Sequence, residues 1–149
     1  MLEIQSLVND LMDRDKAHAY QCLNQLEVES NHSAVVYPFF DTFIEMLDHK
    51  NSYIRTRGII LIAANVKWDV EDKLNKCMGK YLAHIMDDKP ITARQCIKTL
   101  PALIQAKPEL RDYVLNALYK ANPLRYQESM QSLVIRDIQQ SLETICKLS

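Results

Sequence analysis

The chain is predicted to be all-α, with eight helices arranged as four consecutive pairs. Only two glycines and five prolines punctuate its 149 residues. Apolar residues recur at three-to-four spacing, and strict alternation of apolar and polar residues is nowhere sustained. Short polar turns separate the apolar stretches at fairly even intervals.

Breakers and caps divide the chain in order. Residues 2–12 and 15–27 form the first pair around the turn "DRD". The polar stretch "ESNHS" then leads to a helix over 33–47, the turn "DHKN" and a helix over 52–65. "KWD" introduces 70–85 and "DDKP" introduces 91–105. "AKP" introduces 109–121, with Pro108 suited to a first helical turn, where its missing N–H is not needed. Asn122 and Pro123 open the last segment, whose main helix is placed at 129–147. Length argues for one domain over 1–149, with units near 1–30, 31–66, 67–106 and 107–149.

The pairs share a frame. Arg55 and Arg94 each follow an apolar residue, Ile54 and Ala93; each is followed six residues later by leucine, Leu61 and Leu100, and preceded by seven by aspartate, Asp48 and Asp87. The frame appears earlier as Asp13, Ala19, Tyr20 and Leu26, and later, without the acid, as Ser129, Ile135, Arg136 and Leu142. An apolar residue and a leucine seven positions on share one helix face and should be buried. The turn aspartate should accept from amides at the start of the second helix. The arginine should reach an aspartate of its own or the adjacent unit, making a ladder along the stack.

Helix pairs of this length, with a turn aspartate followed by an apolar residue and arginine, resemble HEAT repeats, and small uncharacterised bacterial HEAT-repeat proteins in particular. "LDHKNSYIRTRGIILI" and "MDDKPITARQCIKTLP" carry the resemblance most strongly. It implies a right-handed superhelix of four HEAT-like pairs, the second helices lining a concave face used for binding. Tyr20 in place of arginine, and the missing acid in the last unit, fit terminal capping units. Pro101 should bend its helix, and close helix packing should explain Gly58 and Gly79.

On that arrangement the concave strip comprises Tyr20, Gln21, Asn24, Arg57, Gln95, Lys98, Arg136 and Gln140, with Gln139 and Glu143 beside them. It is polar, amide-rich and mildly basic, suited to an extended peptide or an acidic protein surface. Arg57 is singled out because the other units place different residues there. The expected role is a noncatalytic interaction scaffold for a protein or peptide. The alternative is a DNA-binding or repair protein resembling the glycosylases built from HEAT-like repeats. Three cationic residues on the strip and a net charge of −1 give that alternative little support. Self-association through end helices is a third reading.

No site for catalysis, a cofactor or a metal is expected. The four histidines show no metal-binding spacing, and His84 with Asp87 and Asp88 is a weak candidate set because Asp87 already serves the turn. The four cysteines, Cys22, Cys77, Cys96 and Cys146, are far apart and read as reduced structural thiols. Cys22 and Cys96 even occupy equivalent repeat positions, with Arg57 between them. Trp68 is expected to close the core between the second and third units. No apolar run is long enough for a membrane span, the N-terminal sequence lacks the pattern of a signal peptide, and the cytoplasm is the expected location.

Overall fold

The computed structural model describes residues 3–148, and these are all-helical, with no strand among them. The α-helices are α1 Ile4–Asn9, α2 Lys16–His32, α3 Phe40–Met46, α4 Ser52–Asn65, α5 Lys73–Lys76, α6 Met78–Leu82, α7 Pro90–Ala106, α8 Arg111–Lys120 and α9 Glu128–Lys147. Short 3-10 turns at Asp10–Met12, Tyr37–Phe39, Val66–Trp68, Ala83–Met86, Pro108–Leu110 and Pro123–Arg125 extend or introduce them. The chain divides into two compact units, Met1–Lys73 and Leu74–Ser149.

Three elements depart from expectation. The helix expected over 33–47 begins only at Phe40, after the 3-10 turn Tyr37–Phe39. Helix α2 runs through "ESNH" because Ser30 is buried and its hydroxyl donates to the Leu26 carbonyl at 2.7 Å. The helix expected at 70–85 starts only at Lys73. Asp72 has a φ of 55°, a left-handed conformation that aspartate tolerates, and the Asp69 carboxylate accepts from the Lys73 amide at 3.0 Å. The same stretch is interrupted again at Cys77, giving α5, α6 and a 3-10 turn in place of one helix.

In the first unit α1 packs on α2, α3 on α4, and α2 on α4. In the second, α7 packs on α9 and on the turn Ala83–Met86, and α8 touches α9. Within each unit, therefore, the second helices of successive pairs lie against each other. The repeat positions follow suit: Ala19, Leu26, Ile54, Leu61, Ala93 and Leu100 are all buried.

The fourth frame is corrected by one residue. Ile135 is 37% exposed and Leu142 is only half-buried, whereas Val134, Asp137, Ile138, Ser141 and Ile145 are buried. The buried face of α9 thus aligns with α7 at a spacing of 41 residues (Val134 with Ala93, Ser141 with Leu100), not at the 42 read from matching letters.

The turn acids also differ from expectation. Asp13 and Asp87 each accept an amide two residues on, from Asp15 at 2.8 Å and Lys89 at 2.9 Å, so they bond the cap residue and not the helix itself. Asp15 caps α2, accepting from Ala17 and His18, and Asn51 caps α4, accepting from Tyr53. In the second pair the Nδ1 of His49, one residue after Asp48, accepts from the Asn51 amide at 3.0 Å.

Of the three frame arginines, Arg136 is exposed, and Arg55 folds back on its own turn, donating to the carbonyls of His49 and Lys50. Arg94 does cross to the next pair, but its partner is Asp137 in α9, not a turn aspartate; Nε to Oδ2 is 2.6 Å.

Helix α7 continues through Pro101. Proline brings no N–H, so the Ile97 carbonyl, four residues back, loses its helical donor. Ser141 of α9 replaces it, its buried hydroxyl donating to Ile97 O at 3.1 Å. Ser141→Ala should destabilise the fold by about 1–2 kcal/mol by leaving that carbonyl unpaired. In a Pro101→Ala background the helix regains its own donor, so the same substitution should cost measurably less by denaturant unfolding. Equal costs in the two backgrounds would refute the substitution of one donor for the other.

The two helical glycines are not alike. A Cβ on Gly58 would lie 2.8 Å from the Phe43 carbonyl oxygen and 2.9 Å from Met46 Cβ, so α3 and α4 meet there at a distance only glycine allows. Gly79, contrary to expectation, is exposed, and a Cβ there would meet nothing within 4 Å. Gly58→Ala should destabilise by about 1–3 kcal/mol through overpacking. Gly79→Ala should stabilise by roughly 0.5–1 kcal/mol, because alanine is the better helix former and the site has room. Thermal denaturation of the two variants checks the opposite signs.

Candidate functional site

Most residues of the predicted strip are exposed. On α2, Tyr20 is 61% exposed, and Gln21 and Asn24 beside it are exposed as well. Tyr20 and Asn24 lie one helical turn apart, so they form a row on one face. Lys16 precedes them by another turn, and its ammonium stands 4.2 Å from the ring centre of Tyr53, itself exposed on α4. This cation–π contact joins α2 and α4 at the surface and gives the first unit a patch of two tyrosines, one lysine and two amides.

In the second unit Lys98 of α7 is exposed, as are Arg136, Gln139, Gln140 and Glu143 of α9, while Gln95 is half-buried. Arg136 and Gln140 stand one turn apart.

Arg57 does not belong to this surface. It is only 7% exposed, and its guanidinium donates to the Leu11 carbonyl at 2.7 Å, 46 residues away in sequence. Burial lowers its pKa below the ordinary guanidinium range, with Tyr53 opposing the shift. The helix α4 therefore uses Arg57 to hold the turn Asp10–Met12, and the residue predicted as the leading functional candidate is a structural tie. The sequence did contain the signal: Arg57 shares its register with Cys22 and Cys96, both buried.

Asp87 forms a second polar hub that sequence reasoning reached only through its turn role. Its Oδ2 lies 2.7 Å from His84 Nδ1, its Oδ1 accepts from Lys89 N, and its carbonyl accepts from the buried Tyr126 hydroxyl at 2.6 Å. Asp88 instead faces Arg125, at 3.1 Å. The weak His84, Asp87 and Asp88 set is thus split between two interactions that fasten the turn to the segment before α9.

Trp68 is half-buried, and its indole N–H donates to the Ser30 carbonyl at 2.8 Å. It fastens the end of α4 to the end of α2, inside the first unit, a different place from the junction predicted for it. All four cysteines are free; Cys22 and Cys96 are buried, Cys77 is half-buried and Cys146 is exposed. Among the described residues no helix is long and apolar enough to cross a membrane.

Comparison with protein-family models, curated proteins and solved structures returns no match to this chain.

Proposed function

We propose that this all-helical chain is a short HEAT-like solenoid serving as a noncatalytic scaffold in the cytoplasm, binding a protein or peptide through the outward residues of its second helices. The observation that supports this best is the exposed row on α2, Tyr20, Gln21 and Asn24, flanked by Lys16 stacked on Tyr53. Tyrosine offers a large contact area with little rotamer freedom to lose, and the amides offer donors and acceptors to a peptide backbone. With Arg57 buried, the predicted strip keeps only Lys98 and Arg136 as cations, which favours a protein partner over phosphate-rich nucleic acid.

Crosslinked capture with wild-type protein, Tyr20→Glu and Lys98→Glu tests this reading. Both side chains are exposed, so both variants should melt with wild type, and Tyr20→Glu should lose the captured partner. A set of captured proteins identical across the three would overturn the reading. Recovery of only the chain itself, with a matching rise in sedimentation coefficient, would replace the partner by a second copy.

A further inference from the structure

Three side chains with metal-ligating atoms converge where the turn Asp10–Met12 meets the start of α2. His18 Nε2 lies 2.9 Å from Asp10 Oδ2 and 3.7 Å from Cys22 Sγ. The three ligand atoms fall within 4.8 Å of one another. We propose that Asp10, His18 and Cys22 form a binding site for a single divalent transition-metal ion of the zinc class.

The geometry supports one ion among the three. Tetrahedral zinc with Zn–N near 2.0–2.1 Å and Zn–S near 2.3 Å puts neighbouring ligand atoms roughly 3.3–3.6 Å apart. The His18 to Cys22 distance already approximates that spacing. The His18 to Asp10 distance is that of a hydrogen bond, and a small outward rotation of the carboxylate separates the pair enough to admit an ion. His18 and Cys22 are four residues apart on α2 and so share a face, while Asp10 arrives from the preceding turn. One imidazole nitrogen thus faces both other ligands, an arrangement that capping or packing alone does not require.

The surroundings suit a cation. Asp13 and Asp15 lie near His18 and add negative potential there. Asp10 and His18 are nearly half exposed, providing a route from solvent to the buried sulfur. The Arg57 bond to the Leu11 carbonyl fixes the turn one residue from Asp10. On binding, Cys22 releases its thiol proton and a protonated His18 its imidazolium proton, both to solvent, and the metal takes their place. Imidazole and thiolate select zinc or cobalt over magnesium or calcium, and three protein ligands leave a fourth position for water. The register shared by Cys22 and Cys96 accounts for the burial of both, but only Cys22 has a histidine one turn before it.

Cobalt(II) titration of the full chain, reduced with a non-thiol reagent, tests the site. One equivalent should produce the near-ultraviolet thiolate-to-cobalt band with visible bands of tetrahedral intensity, all displaced by zinc. His18→Ala and Asp10→Ala, at partly exposed positions, should fold and weaken affinity by more than ten-fold, since even outer-shell partners are worth roughly 10–100-fold. Cys22→Ser should abolish the thiolate band, while Cys77→Ser and Cys146→Ser should leave it unchanged. Absence of the band in wild type, or a band unaffected by His18→Ala and Asp10→Ala, would overturn the proposal. So would a band lost with Cys77 or Cys146.

Discussion

Arg94→Ala is expected to destabilise the fold by about 3–5 kcal/mol, and Asp137→Ala by distinctly less, although both substitutions break the same pair. The difference comes from what each leaves behind. The Asp137 side chain is 4% exposed and the Arg94 side chain 24%. Removing the arginine strands a carboxylate that has almost no access to water; removing the aspartate leaves a guanidinium on a flexible stem that can turn toward solvent. For a chain of this size the larger effect corresponds to a fall in melting temperature of roughly 6–20 °C. Arg94→Met with Asp137→Leu removes both charges at once and should recover most of the loss, since a well-packed apolar pair is often as stable as a buried ion pair. Urea unfolding of the two single variants and the double variant closes the cycle. Equal single costs would show that solvent access does not govern the pair, and costs near zero would show that the 2.6 Å contact contributes nothing.

The same pair shows how far the sequence could be read. That Arg94 would pair with an aspartate of its own or the adjacent pair was legible from its place in the frame; that the partner would be Asp137 was not, because letter matching set the last frame one residue late. Arg136 and Leu142 resemble the frame arginine and leucine, yet the face of α9 that meets α7 is Val134, Asp137, Ile138, Ser141 and Ile145, with two polar residues on it. Hydropathy alone would place Asp137 and Ser141 outside. Each is inside because a particular group across the interface needs it, the Arg94 guanidinium in one case and the carbonyl orphaned by Pro101 in the other. Helix existence was legible throughout, since the spacing of apolar residues is a local property. The breaks at Asp72 and Cys77 were not, because a left-handed aspartate and a capping contact from Asp69 are matters of backbone geometry that composition does not carry. Of the candidate surface, Tyr20, Gln21, Asn24, Lys98, Arg136 and Gln140 were correctly read as outward, and Gln95 only partly so.

Arg57→Ala should lower stability by about 2–4 kcal/mol, combining a lost buried donor with the cavity left by a long side chain. Two further variants separate the contributions. Arg57→Met keeps most of the packing volume but offers no hydrogen, so its remaining cost, about 1–3 kcal/mol, measures the Leu11 carbonyl left unpaired in the interior. Arg57→Lys retains a cation that lacks the planar fork aimed at that carbonyl, and should fall between wild type and methionine. Amide exchange localises the effect: protection should drop first around the turn Asp10–Met12, whose closing bond runs from the Asp13 amide to the Asp10 carbonyl. A residue that served only to bind a partner would behave in the opposite way, with Arg57→Ala melting like wild type. The substitution therefore decides between a surface arginine and an internal tie. The 2.7 Å bond across 46 residues favours the tie, because a residue only 7% exposed, its guanidinium held on a backbone carbonyl, has little surface left to offer a partner.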